Sequence, residues 1–280
     1  MAIELVTKFM PYVDEIFTTE SKKSLVTNQD FSWTGAHSIK VYKVSVSSMN
    51  DYNREGTENG NWSRYGAVAG LEATTEEMTL KKDRSFTFTI DKLDTDETSN
   101  QLAGASALAR QIRQVVVPEV DAYTYHVMCE KAGIKATETA LTPENIYNEI
   151  VKATTALDEA EVPETGRCII VTPSVYQLMK QSKEIILETN IGNDLRLKGV
   201  LSNLDGCHVI KVSANRVPKE FGFLVCHSIA TVAPTKLEDY KLHQDPPGIS
   251  GVLVEGRICY DAFVLDNKAK AIYYLKQPKA

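Results

Sequence analysis

The sequence predicts an α+β protein in which a compact α/β unit is inserted between a long helix and a later return of β-strands. Three observations carry this reading. Period-two strand patterns bracket a long irregular stretch, "NDYNREGTENGNWSRYGAVAG". One interrupted helical pattern then runs from Thr95 to Lys131. From Thr142 onward, short apolar strands alternate with capped helices, as in a sheet with helices on its faces.

Near the start, Leu5, Phe9, Val13 and Ile16 recur at helical spacing over 3–24, with Pro11 interrupting. Alternation in "HSIKVYKVSV" then predicts a strand. The stretch Asn50–Gly70 holds four of the fifteen glycines. Loops this long and irregular are usually functional or disordered, yet Tyr52, Trp62 and Tyr65 are poor residues for disorder. The loop therefore reads as one that orders against something outside its own domain. Its interface candidates are Tyr52, Arg54, Glu55, Trp62, Arg64 and Tyr65, since aromatics and arginine commonly anchor protein contacts. In "RSFTFTID", Phe86, Phe88 and Ile90 share one face of a half-buried strand. Met78 and Leu80 extend the pattern back, making the loop the tip of a two-stranded ribbon.

Asp94, with Glu97 three residues on, reads as a helix cap rather than an acid–base pair. The apolar stripe Leu102, Ala105, Ala109, Ile112, Val116 follows. Arg110 and Arg113 lie on other faces, as either a solvated surface or subunit-interface ion pairs. Pro118 deletes a backbone bond and bends the axis, and Gly133 is placed to stop the helix. Such a helix is about 55 Å long, against roughly 30 Å for a small domain, so it reads as a strut.

Beyond it, Thr142-Pro143 and Thr172-Pro173 are helix starts. "CIIV", "CHVIKV" and "FGFLV" are strands, and "GRICYDAFVLDNKAKAIYYL" reads as a terminal hairpin. Both of its strands are apolar on both sides, which predicts cover on both sides. The strut is the cover expected for one face, with Arg110 and Arg113 as partners for Asp261.

Composition removes several function classes. The net charge of −6 gives no electrostatic reason for direct nucleic-acid recognition. The five scattered cysteines fit reduced, buried thiols of a cytoplasmic product. Neither a signal peptide nor an apolar membrane span is visible. Hydrolase, zinc-protease and phosphate-loop motifs are absent, which predicts no cofactor and no enzyme activity. Cys207-His208 and Cys226-His227 lie in or beside strands, where neighbours point to opposite faces, so neither pair predicts a metal site.

"FTIDKLDTDETSN", "QVVVPEVDAYTYHVM" and "EGRICYDAFVLDNKAKAIYYL" together resemble the major capsid proteins of tailed bacteriophages, whose fold encapsulins share. The resemblance implies an N-terminal arm (1–37), a strand and extended β-hairpin loop (38–92), and a peripheral domain with a spine helix (93–135). An inserted α/β axial domain (136–225) and a return to the peripheral domain with the terminal hairpin (226–280) would follow. It further implies self-assembly through hexamers and pentamers into an icosahedral virion head, built in the host bacterial cytoplasm. The implied partners are a separate scaffolding protein, because the arm begins at Met1, together with a portal protein, a decoration protein and non-specifically contacted double-stranded DNA. No membrane is implied. An encapsulin-like compartment shell and an α/β enzyme with a long active-site lid are the competing readings.

Overall fold

Opposite charges meet across the first strand pair. The computed structural model describes residues 20–30, 38–44, 46–55, 63–66, 70, 72–97, 104–187 and 203–279. Within it, β1 (Ser38–Val44) runs antiparallel to β2 (Ala73–Thr79). Lys40 stands opposite Glu77 at 3.9 Å, and Lys43 reaches Glu76 at 3.2 Å. Most of the arm expected over 1–37 lies outside the described residues, as do Trp62 and residues 98–103 of the expected spine.

The ribbon belongs to one compact unit, Trp33–Leu80; a second comprises Met1–Ser32 and Lys81–Ala280. The span expected over 38–92 therefore divides. The ribbon's return strand is β2, whereas β3 (Lys82–Asp91), which carries "RSFTFTID", belongs to the second unit.

In that unit β3 runs straight into α1 (Lys92–Glu97). Asp91 Oδ1 accepts the Leu93 amide at 2.8 Å. This corrects the expected cap. Asp94 and Glu97 lie within the helix, because the chain leaves the strand with no intervening loop to give Asp94 a non-helical backbone.

Next come α2 (Gly104–Gln111), a π turn over Ile112–Val116, and α3 (Val117–Glu130). Together they form an unbroken helical run of 27 residues, about 40 Å at 1.5 Å per residue. Pro118 cannot donate to the Gln114 carbonyl, and its ring crowds that oxygen. The wider turn immediately ahead takes up the mismatch: the Val117 amide bonds to the Ile112 carbonyl, five residues back.

The chain continues through β4 (Ile134–Lys135), α4 (Ile146–Glu159), β5 (Arg167–Val171), α5 (Pro173–Gln181) and α6 (Lys183–Leu187). Then follow β6 (Asn203–Leu204), β7 (Cys207–Lys211), β8 (Phe221–His227), β9 (Thr231–Val232) and β10 (Thr235–Gln244). Last come β11 (Gly251–Tyr260), β12 (Phe263–Val264) and β13 (Ile272–Lys276). Thr172 caps α5 by accepting the Val175 amide, with Pro173 behind it, as the sequence predicts. The helix expected at Thr142 starts later, at Ile146. Asn145 accepts the Thr142 amide at 2.8 Å and holds Thr142-Pro143 in a turn before it.

A six-stranded mixed sheet, in the order β4-β13-β8-β5-β7-β6, is covered on both faces. Ile169, Val171, Phe223, Val225, Tyr273 and Leu275 point to one side, against Ile146, Ile150, Leu157 and Met179 of α4 and α5. Their sequence neighbours Cys168, Ile170, Leu224, Cys226, Ile272 and Tyr274 point to the other, against Tyr125, Met128 and Cys129 of α3. Each fully buried aliphatic side chain contributes about 1.5–3 kcal/mol. A three-stranded antiparallel sheet has the order β10-β11-β3. There Val116 and Val120 of the helix pack on Ile258 and Tyr260, with Phe86 and Tyr123 alongside. One helix thus braces two sheets.

The expected terminal hairpin is not formed. β11 sits between β10 and β3, whereas β13 sits between β8 and β4 in the other sheet. Consecutive apolar strands usually neighbour each other, but here β12 and a 3₁₀ segment over Asp266–Ala271 carry the chain across. Double cover, expected for both strands, holds only for β13; Glu255 and Arg257 on β11 are exposed. The domain boundary expected at 225 falls inside β8. Gly133, expected as a helix stop, is needed for close approach: a Cβ there would lie 2.5 Å from the Ala269 carbonyl carbon.

Candidate assembly surfaces

The ribbon unit has little polar cover for its apolar side chains. Val46 is 93% exposed, Met49 99% and Tyr65 76%, with Tyr42 and Val44 also exposed. The described flanks of the loop nevertheless meet. The Asn53 amide donates to the Arg64 carbonyl at 3.0 Å, and Asn50 Nδ2 to the Tyr65 carbonyl at 3.3 Å. The Tyr52 and Tyr65 rings meet edge-on, 5.0 Å between centroids. Gly66, at φ +89°, makes the turn; a Cβ there would strike Asn50. Of the predicted loop residues, Tyr52 meets Tyr65 and Arg64 joins through its carbonyl, while Arg54 and Glu55 make no hydrogen bond or ring contact across the loop among the described residues; all five are exposed. Trp62 lies outside the described residues.

The start of the helical run is a second open surface. α2 buries no residue, and Ala105 and Ala109 of the predicted stripe are exposed. Val115 is exposed as well, and burial begins at Val116. Arg110 is half-buried and Arg113 exposed, and each is engaged in an interaction within the chain.

Within the second unit, polar contacts fix the helix to its surroundings. Asp261, 4% exposed, accepts the Tyr123 hydroxyl at 2.8 Å and the amides of Lys81 and Ala262, both at 2.8 Å. These donors, rather than Arg110 and Arg113, hold its carboxylate. Burial first, then the Asp261 bond, pushes the Tyr123 phenol well above its usual range. Glu119 accepts from Arg84 Nε at 2.8 Å and from the Tyr260 hydroxyl at 3.1 Å. Asp121 forms a buried 2.8 Å ion pair with Arg216 and accepts the Ser21 hydroxyl at 2.6 Å. Sequence reasoning missed this pair. A charged residue one position from Val120, on a face that also holds Thr124 and Tyr125, was the available signal, but nothing local points to Arg216.

No catalytic constellation gathers among the described residues, and no group of three His, Cys, Asp or Glu side chains there is placed to hold a metal. Burial pushes the Cys207 thiol up to about 11 and Cys129 to about 12, which keeps both protonated and unreactive. His227 is buried, with Nε2 2.8 Å from the Thr165 carbonyl and Nδ1 accepting the Ile229 amide. No described helix is long and apolar enough to cross a membrane.

No protein-family model and no curated protein matches this sequence. Solved structures do match its fold. A chain from the mature capsid of bacteriophage PhiM1 superposes with a TM-score of 0.76 at 13% identity, covering 99% of this chain and 93% of that one. The chain has the tailed-phage major capsid fold. The capsid of cyanophage P-SCSP1u gives 0.73 at 16% identity, over 98% of this chain and 93% of that one. The same capsid fold extends to a virus-like particle from Pyrococcus furiosus, at 0.56 and 12% identity, over 86% and 87%.

Proposed function

We propose that this chain is the major capsid protein of a tailed bacteriophage, assembling into the icosahedral head that encloses the genome. The observation that carries the reading is the near-complete match in both directions to chains of phage capsids. The exposed apolar side chains of the ribbon and of α2 fit the same reading, since such surface calls for a partner.

In this reading the ribbon loop, with Tyr52, Arg54, Glu55, Trp62, Arg64 and Tyr65, lies against a neighbouring subunit. Arg110 and Arg113 face the interface along the spine. The six-stranded sheet forms the axial domain and the three-stranded sheet with α2 the peripheral one. Head-to-tail contacts close into rings where the rotation permits, giving hexamers and pentamers. A scaffolding protein, a portal, a decoration protein and non-specifically contacted DNA complete the assembly. The virion is then the chain's location, and it is no enzyme.

The Pyrococcus particle favours a second reading, an encapsulin-like compartment shell. Electron microscopy of the purified protein decides between shells and neither. Homogeneous particles are the expected result, and a persistent monomer or small oligomer under all conditions overturns both readings. Nucleic acid inside native particles selects the virion, and enzyme cargo selects the compartment.

A further inference from the structure

His227 closes β8, and both nitrogens of its ring are engaged inside the fold. The residue is 6% exposed. Nε2 lies 2.8 Å from the Thr165 carbonyl, which can only accept, so Nε2 carries the proton. Nδ1 lies 3.2 Å from the Ile229 amide, which can only donate, so Nδ1 carries none. The ring thereby joins two pieces of chain. One is the turn of residues 160–166, between α4 and β5, and the other is the 3₁₀ segment Ser228–Ala230. A bond from the Ser228 amide to the Gly166 carbonyl, at 3.4 Å, runs alongside.

The surroundings suit a neutral ring. Arg167 of β5 stands opposite His227 in the register and is 3% exposed. Its guanidinium takes Asp158 of α4 at 2.7 Å and the Pro163 carbonyl at 2.9 Å. The Cys207 thiol, close to Arg167, stays protonated. β13 pairs with β8 only as far as Cys226, through apolar Ile272. Ser228–Ala230 holds no ionisable side chain, and Glu161 and Glu164 of the turn are exposed. A proton added at Nδ1 turns an acceptor into a second donor, aimed at the Ile229 N–H, with a guanidinium across the strand pair.

We propose that His227 is an acid-released latch. With a neutral ring it closes Ser228–Ala230 onto the 160–166 turn, and with a charged ring it lets that segment go. In the open form the imidazolium meets water and the conflict at Nδ1 disappears, so protons favour opening. Opening reaches beyond its own turn. The Ala230 carbonyl accepts the Leu265 amide at 3.1 Å, just past β12, and the Thr231 carbonyl accepts the Asn28 amide at 2.7 Å. Acid thus loosens the anchorage of residue 28 and of the crossing after β12 together. The latch belongs to the folded subunit and is independent of the shell reading.

Hydrogen exchange of the Ile229 and Leu265 amides in the full-length protein, from pH 8 to pH 5 and corrected for the intrinsic exchange rate, tests it. The window brackets the ordinary imidazole titration at about 6.5. Protection is expected to hold above pH 7 and to fall about tenfold or more by pH 5. His227→Gln, whose amide can bond in the same place without titrating, should keep its protection flat across the window. Nitrogen NMR of the ring should show the Nε2–H tautomer at pH 8, with protonation at Nδ1 accompanying the loss. Constant protection in the native protein overturns the proposal, as does an equal fall in His227→Gln. A ring already charged, or protonated at Nδ1 alone, at pH 8 also overturns it, and that measurement needs no variant to fold.

Discussion

The phenol of Tyr123 donates a 2.8 Å hydrogen bond to Oδ1 of Asp261, a residue 138 positions away along the chain. The bond ties the brace helix to the point where the chain leaves β11 for the second sheet. The same carboxylate also takes the Lys81 amide, at the start of the second unit's β-sheet segment. Tyr123→Phe should lower stability by about 1.5–3 kcal/mol, the range for hydrogen bonds to charged groups. Asp261→Ala should cost more, because it strands the hydroxyl and two amides together. Urea unfolding midpoints check this, and unchanged midpoints in both variants would refute the role.

Arg216→Met should destabilise by about 3–5 kcal/mol, because it leaves the Asp121 carboxylate buried without its cation. The double variant Asp121→Leu/Arg216→Met should recover much of that loss. A double-mutant cycle by thermal denaturation reads the coupling. Additive losses would show that the pair acts as two independent side chains.

Stability should fall with rising pH above about 9. Burial raises the Cys207 thiol to about 11, the Cys129 thiol to about 12, and the Tyr260 and Tyr274 phenols to about 12. An unfolded chain releases these protons at the ordinary values of about 8.5 and 10. The folded state holds them longer, so their contribution is complete below the unfolded values and is lost as pH rises through the folded ones. Melting temperatures from pH 7 to 11 provide the check, and a flat profile would contradict it.

Val46→Ser and Met49→Ser should each leave subunit stability within about 0.5 kcal/mol, as expected for exposed sites, and Tyr65→Ser should cost about 0.5–1.5 kcal/mol for its contact with Tyr52. Shell yield should drop, because each removes apolar surface offered to a neighbour. Deleting 53–72 should abolish stable shells outright. Size-exclusion profiles and particle counts measure both, and undiminished shells in the triple variant would remove the ribbon from the interface.

Pro118→Ala restores an amide that can bond to the Gln114 carbonyl. The π turn over Ile112–Val116 should then relax towards α geometry, rotating α2 relative to β11. Faster assembly kinetics are not required; an altered particle size is. Hydrogen exchange across 112–118 and particle diameters together form the test, and identical patterns in both would show that the π turn has another cause.

Local and periodic signals were readable from the sequence. Thr172-Pro173 named a helix start, and the phenylalanines of β3 named its covered face. The unbroken apolar run "CIIV" reported a buried strand, and that strand carries a core on each side. Tyr52 and Tyr65 marked a loop whose described flanks meet each other. What escaped was set by distance in the chain. Nothing around Asp121 identifies Arg216, and nothing in "AIYYL" shows that its neighbour is β8 rather than β11. Asp94 misled because the cap motif is local, whereas Asp91 gained the role from a strand held in place by β11. The π turn also escaped, since Pro118 announces a disturbance without saying which neighbouring turn absorbs it.

The position of β13 between β4 and β8 imposes an order on biosynthesis. While a ribosome is still translating residues beyond β8, that strand has one open edge, and β4 has no neighbour at all. The greasy strip formed by Phe223, Val225 and their flanking residues must wait, for seconds at ordinary elongation rates of about 5–20 residues per second. Only when Ile272–Lys276 emerge can the sheet zip shut and α3 seat fully upon it. A chain stopped short of β13 therefore keeps an open edge on β8 and a β4 with nothing to pair with.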